Sequence, residues 1–166
     1  ASYAPKMEKL GIPLFPFQRA IEVTGENLDK LFPRRQKLSS QVKKLLHDMI
    51  HVFIRQAPRF IEDMKDIYKT FPFDMVVAEC TFSAIPIIKK TFNVPVSGIG
   101  IVPLIETSRD LAPTGLGLTP SYSTLGRMKQ WVLRIITDNL FFRAANLACH
   151  EILDSYGVEH NRSNVF

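Results

Sequence analysis

The chain has 166 residues, 46% of them apolar and 22% charged, with 21 Lys and Arg against 16 Asp and Glu for a formal net charge of +5. Phe occurs 12 times, Gly 8 times and Cys twice, which excludes low-hydrophobicity disorder, collagen-like repeats and a disulfide scaffold. A chain of this length buries roughly 70% of the surface its unfolded form exposes, so a single domain with its own core is expected.

In chain order, Tyr3 to Leu10 reads as a short helix stopped by Gly11. Ile12 to Phe17 follows as an apolar extended run in which Pro13 and Pro16 argue against a central strand. Lys30, Arg34, Arg35, Lys37, Lys43 and Lys44 form a basic stretch with no acidic residue among them. Such a stretch could attract phosphate or anionic lipid, but it has no interleaved aromatics and no nucleic-acid motif, so a solvated helix start is the simpler reading and no nucleic-acid partner is expected. Leu38, Val42, Leu45, Met49 and Phe53 recur at helical spacing, with Leu46 and Ile50 widening the stripe, and the helix is expected to end or kink near Pro58. Phe60, Ile61, Met64 and Ile67 continue it.

Asp74-Met75-Val76-Val77-Ala78 is a short apolar run of the kind expected for a strand buried on both faces, ended by Glu79. Thr81 to Thr91 is compatible with a helix, and Val94 to Ile101 reads as a second buried strand. Strand, crossover helix and parallel strand together take about thirty residues, which is α/β architecture. Pro103 to Thr124 is a long loop rich in Pro, Gly, Ser and Thr, and long loops tend to be functional or disordered. Leu125 to Tyr156 then carries Met128, Val132, Ile135, Ile136, Leu140, Ala144, Leu147 and Ile152 at helical spacing, as one bent helix or two, with Gly157 as the stop.

In open α/β sheets ligands gather outside the carboxyl ends of the strands, which singles out Glu79. The competing reading is a carboxylate that caps the helix after it. His47 and His51 have the spacing of a two-histidine metal edge, but without a third ligand no metal site is expected. His150 and His160 read as surface or helix-end histidines. Phe141, Phe142 and Trp131 read as core in preference to a cofactor stack. No phosphate-binding glycine loop follows a strand, and no serine or cysteine nucleophile motif is present. Cys80 and Cys149 match no metal or redox spacing and read as reduced thiols of a cytoplasmic protein, where the Asn161-Arg162-Ser163 sequon would stay unused. No run approaches the roughly 18 uninterrupted apolar residues of a membrane helix, since Val94 to Ile105 is broken by prolines and glycines. The chain opens on Ala1-Ser2-Tyr3 with neither initiator Met nor signal peptide, which reads as a cleaved tag or a piece of something longer.

Three segments carry a family likeness: Phe73 to Glu79, Asn93-Val94-Pro95-Val96, and Ser108 to Leu118 with its Asp-Leu-x-Pro-x-Gly-Leu-Gly-Leu pattern. In this order they resemble bacterial UDP-glycosyltransferases of the macrolide-glycosyltransferase type. The likeness covers most of the chain, and Tyr3 to Phe17, with its Lys9-Leu10-Gly11-Ile12-Pro13 turn, looks like the helix and strand after the family's second strand. The resemblance implies a Rossmann-like parallel sheet flanked by helices, an incomplete N-terminal half of a GT-B glycosyltransferase, with residues 1–166 as a single acceptor-side domain. The full protein would be a UDP-dependent hexosyltransferase that moves a sugar from a nucleotide-diphosphate sugar to a lipophilic acceptor hydroxyl, with inversion and without a metal. In the family a His base after the first strand is held by a carboxylate after a later strand, and Glu79 falls at the carboxylate position. The family has Asp there, one methylene shorter.

By the same likeness the first strand with its His is expected before Ala1 and the diphosphate site after Phe166, so the isolated chain should bind no cofactor and show no sugar transfer. Thr81, Phe82, Pro103, Leu104, Thr107, Arg109 and the rest of the 108–122 loop would face the acceptor, with Trp131 to Phe142 closing the pocket. The alternative is a non-catalytic module that binds a small molecule or an anion. If strands of the sheet are missing, the open edge invites pairing with a second copy.

Overall fold

The computed structural model describes residues 3–101, 108–113 and 118–160. Helix α1 (Ala4–Lys9) has a proline in its first turn, where the missing N–H costs nothing, and stops at Gly11, whose φ of +66° suits a residue without Cβ. Residues 12–17 form neither helix nor strand. Two short helices follow, α2 (Leu28–Leu31) and α3 (Pro33–Gln36), and then α4 (Gln41–Asp48), whose first turn is capped by the Ser40 hydroxyl accepting from the Lys43 amide at 3.2 Å. Arg35 ties these pieces together, with its guanidinium on Asp29 at 2.7 Å and on Asp48 at 2.8 Å. The basic stretch is therefore solvated only in part.

After α4 the chain widens into a π turn (Met49–Phe53), tightens into a 3₁₀ turn (Ile54–Gln56) and resumes as α5 (Ala57–Thr70). The expected break near Pro58 is this change of pitch: Pro58 cannot donate to the preceding turn, and its ring disfavours an unbroken α-helix running into it. Strand β1 (Val76–Glu79), helix α6 (Ile85–Phe92) and strand β2 (Val96–Ile99) form a parallel pair with Val76 opposite Val96 and Glu79 opposite Ile99. Asn93, left-handed at φ 53°, ends α6 and turns the chain towards β2. The α/β expectation is met as a mixed fold with a two-stranded parallel sheet flanked by helices.

The last segment is two helices, α7 (Thr124–Ile136) and α8 (Arg143–Ser155), joined by a π turn (Thr137–Phe141). Gly157, at φ +64°, is the stop, and the Val158 amide reaches back to the Leu153 carbonyl at 3.0 Å.

One aliphatic cluster holds these parts together. Ile54, Ala57 and Ile61 from the α4–α5 stretch meet Ala84, Ile87 and Ile88 around α6 and Ala145, Cys149 and Leu153 of α8. Phe73, Phe92 and Tyr68 close one side with ring centroids 4.8–5.3 Å apart. The sheet departs from expectation. Both strands are shorter than predicted, Glu79 is the last residue of β1, and one sheet face is open: Val77 is 56% and Ile99 52% exposed, and Met75 and Ile101 are exposed too. Val76 and Val96 pack on the cluster, whereas among the described residues nothing covers the opposite face. An apolar run signals two-sided burial only when a second layer exists, and two strands with helices on one side supply a single layer.

Candidate functional site

Glu79 stands at the carboxyl end of β1, where the Cys80 amide makes the last ladder bond to the Ile99 carbonyl at 3.0 Å. Its side chain turns onto the residues just after it. One carboxylate oxygen accepts from the Thr81 amide at 2.9 Å and from the Thr81 hydroxyl, and the other accepts from the Cys80 thiol at 3.2 Å. The Thr81 hydroxyl is the main reason that the Glu79 carboxyl titrates below the ordinary glutamate range, with the Cys80 thiol and Thr81 amide adding to it against a smaller opposing effect of burial. The same contact, with burial, pushes the Cys80 thiol up, so this exposed cysteine stays protonated at neutral pH. The arrangement is an ionised carboxylate at a strand end, partly open to solvent and held in one orientation by its own turn.

Phe82, half-buried, meets Phe60 of α5 edge-on at 5.0 Å, and the Ser83 hydroxyl donates to the Phe53 carbonyl at 2.9 Å. These contacts anchor the turn that carries Thr81 to the core. Thr81 itself is exposed, and its partner in the structure is Glu79.

The described part of the long loop, residues 108–113 and 118–123, lies as a strap along α7. Asp110 takes the Arg127 guanidinium at 2.6 Å and lends its carbonyl to the Ser121 amide at 3.0 Å. Arg134 donates to the Ser108 carbonyl and, at 3.3 Å, to that of Leu111, while the buried Gln130 reaches the Thr119 carbonyl at 3.4 Å. Gly126 makes room for this crossing, because a Cβ there would collide with the Ser121 side chain. Arg109 is exposed on the strap, and Phe142 is half-buried where the π turn enters α8. Trp131 is 57% exposed and Phe141 is also exposed, so neither belongs to the core that their helical spacing suggested. Periodicity marked the apolar face of this helix correctly, but that face points outwards. Pro103, Leu104, Thr107 and the sequon at Asn161 lie outside the described residues.

The histidines are less ordinary than their positions suggested. His160, only 14% exposed at its side chain, is 3.0 Å from Asp154, and its ring stacks on His150 at 4.7 Å. This pair borders an open groove of about 850 Å³ on α8, lined by Asp138, Arg143, Asn146, His150 and Asp154 among others, and no sequence-predicted site residue is part of its lining. His47 and His51 sit ring to ring at 4.5 Å, and burial, then the neighbouring His47, Arg55 and Arg34, lower the His51 pKa. Among the described residues no group of three or more His, Cys, Asp and Glu is placed to share a metal ion.

The residue most clearly missed by sequence reasoning is Asp63 of α5. It is buried, and it accepts the amides of Gln18, Arg19 and Ala20 at 2.9–3.1 Å while Arg19 also approaches it through its guanidinium. Burial alone would raise its pKa, but the three amides and Arg19 outweigh it and the net displacement is downwards. Its sequence signal was an acid three residues after Phe60 and four before Ile67, on the apolar side of the helix, where a carboxylate needs partners.

Fold and site together define a mixed α/β chain with an oriented, ionised carboxylate at the carboxyl end of a parallel strand. Over 165 residues, 99% of its length, the chain is 27% identical to 4'-demethylrebeccamycin synthase of Lentzea aerocolonigenes, and it spans 39% of the length of that protein. No family model matches the chain, and no solved structure matches it significantly. Among the described residues no helix is long and apolar enough to cross a membrane.

Proposed function

We propose that this chain is the acceptor-side part of a glycosyltransferase with a GT-B arrangement, which transfers a hexose from a UDP-sugar to the hydroxyl of a small lipophilic acceptor with inversion at the anomeric carbon. The observation that carries the reading is the Glu79 carboxylate at the end of β1, in a chain that aligns along almost its whole length with part of 4'-demethylrebeccamycin synthase. The reaction asks for a base that removes the acceptor proton and a carboxylate that orients and stabilises the base as it becomes charged. Glu79 supplies the carboxylate, and a histidine elsewhere in the parent protein supplies the base. To reach an imidazole, Glu79 keeps one oxygen on Thr81 and releases the weaker Cys80 thiol contact, which frees the second oxygen. Thr81 is therefore a positioning residue for Glu79. Phe82, Arg109, Trp131 and Phe142 complete the acceptor-facing wall, and an apolar lining with few polar groups suits a lipophilic aglycone.

The test is UDP release by the full-length enzyme with a UDP-hexose and a hydroxylated aromatic acceptor. Glu79→Ala is expected to lower kcat by about 10²-fold or more, with Glu79→Asp retaining a larger share. A loss below about threefold in Glu79→Ala would refute the role.

A second reading has its own support, since Glu79 already has all its described partners within its own turn. A non-catalytic module that binds a lipophilic molecule needs Glu79 only as a turn cap. Under that reading Glu79→Ala lowers stability and leaves acceptor affinity unchanged, and the parent protein consumes no UDP-sugar.

A further inference from the structure

The net charge of the chain sits in one segment. From Asp29 to Arg59 eight Lys and Arg residues face two acids, Asp29 and Asp48, which gives this segment +6 in a chain whose total is +5. Both acids are held by Arg35, at 2.7 and 2.8 Å. Lys30, Arg34, Lys37 and Lys43 are exposed and have no carboxylate partner among the described residues. The fold gathers these groups. Arg35 ties α2 and α3 to α4, and Phe32 meets the His47 ring edge-on at 5.8 Å. Arg34 of α3 and Arg55 of the 3₁₀ turn both act on the His51 ring, whose pKa is lowered first by burial, then by His47 and these two arginines. Beside them the apolar stripe of α4 and the π turn lies open: Val42, Leu45 and Phe53 are exposed, with Met49 half-buried between them. Lys43 also stands in the first turn of α4, where the positive end of a helix disfavours a cation and no acid balances it. Helix stability does not account for this choice of residue.

We propose that this face seats the protein peripherally on an anionic membrane, with Val42, Leu45 and Phe53 entering the headgroup region and the lysines and arginines around them on lipid phosphates. Charge complementarity names the partner: a cluster of cations beside an amphipathic helix draws it to an anionic leaflet, with about a fivefold gain per residue. The residue types favour lipid over an acidic protein. Lys is depleted in protein interfaces, whereas here Lys30, Lys37, Lys43 and Lys44 outnumber Arg34 and Arg55, and their long stems let the ammonium reach phosphates while the apolar stripe sinks. α7 shows the contrast: its apolar arc is just as open, but two of its three charged residues are tied to the strap.

The experiment is co-sedimentation of the full-length protein with vesicles of phosphatidylcholine alone or with about 30% phosphatidylglycerol, at about 0.1 M and then 0.5 M salt. Vesicle binding needs no substrate, so the result stands apart from sugar transfer. The expected result is at least about tenfold stronger partitioning onto the phosphatidylglycerol vesicles, lost for the most part at the higher salt. Lys43→Glu should weaken it by at least about fivefold although it completes a capping box with Ser40, so that loss of fold cannot explain the effect. Leu45→Ser should weaken it about as much with unchanged far-UV circular dichroism, while Lys129→Glu on α7 leaves it in place. Absence of binding to the anionic vesicles overturns the proposal, because the face is then inert or covered by another part of the protein. An equal loss with Lys129→Glu overturns it too, since the attraction would then be one of overall charge. So does binding that Leu45→Ser leaves untouched, because nothing would then enter the headgroup region and an acidic macromolecule would serve as well.

Discussion

The aliphatic cluster around α6 and the strapped helix α7 are built from the same kind of sequence and put it to opposite use. Both regions repeat apolar residues every three or four positions. Around α6 the stripes of α5 and α8 converge on Ile87 and Ile88, and Ile61 is 0% exposed. In α7 two arginines and a glutamine find carbonyls and a carboxylate on the strap, and their side becomes the inner one. A buried polar group without a partner costs about as much as burying an aliphatic side chain contributes, so a set of ready partners can decide which way a helix faces. Amphipathic spacing therefore states that a helix has two sides, and leaves open which of them is covered.

Four substitutions probe this contrast. The largest effect is expected in the cluster, where Ile61→Ala should destabilise the chain by about 2–5 kcal/mol in urea unfolding, whereas Met128→Ser on the open side of α7 should stay within about 0.5 kcal/mol at concentrations where the chain is monomeric. Equal costs at the two positions would erase the distinction.

Next comes Asp63, a buried polar anchor on the cluster side. Asp63→Ala leaves three amides near residues 18–20 without their acceptor and should cost about 3 kcal/mol at pH 7. Because the folded state holds its pKa below the ordinary 3.8, the stabilisation is complete above that value and is lost as the pH falls through the folded pKa. The gap between wild type and variant should therefore narrow below about pH 4. A gap independent of pH would show that the carboxylate charge is not what the amides recognise.

The smallest effect sharpens the other half of the comparison. Gly126→Ala pushes Ser121 off α7 and should cost about 1–3 kcal/mol, with faster amide exchange at Ser121. Unchanged exchange there would mean that the strap yields without losing its bond to Asp110.

Much of this was legible in the chain itself. The helix breaks near Pro58 and Gly157, the strand–helix–strand unit and the position of Glu79 at a strand end all follow from local chemistry: a missing N–H, a left-handed turn residue, a run of β-branched side chains. The orientation of Glu79 was open, because capping a turn and facing a site both use a carboxylate after a strand, and the Thr81 and Cys80 contacts show it turned onto its own turn. Asp63 was passed over because its partners, Gln18 to Ala20, are more than forty residues away.

What the sequence determined by itself is the longer elements, their breaks and the two-sided character of their helices, since these depend on backbone sterics and on neighbours within a turn or two; the short helices α2 and α3 carried no such pattern. The tertiary structure decided which sides are covered: one face of the sheet and not the other, the polar side of α7 and not the apolar one, the carboxylate of Asp63 and not of Asp66. Those choices depend on whether a distant segment brings a second layer or a hydrogen-bond partner to the surface in question, and no local pattern carries that information.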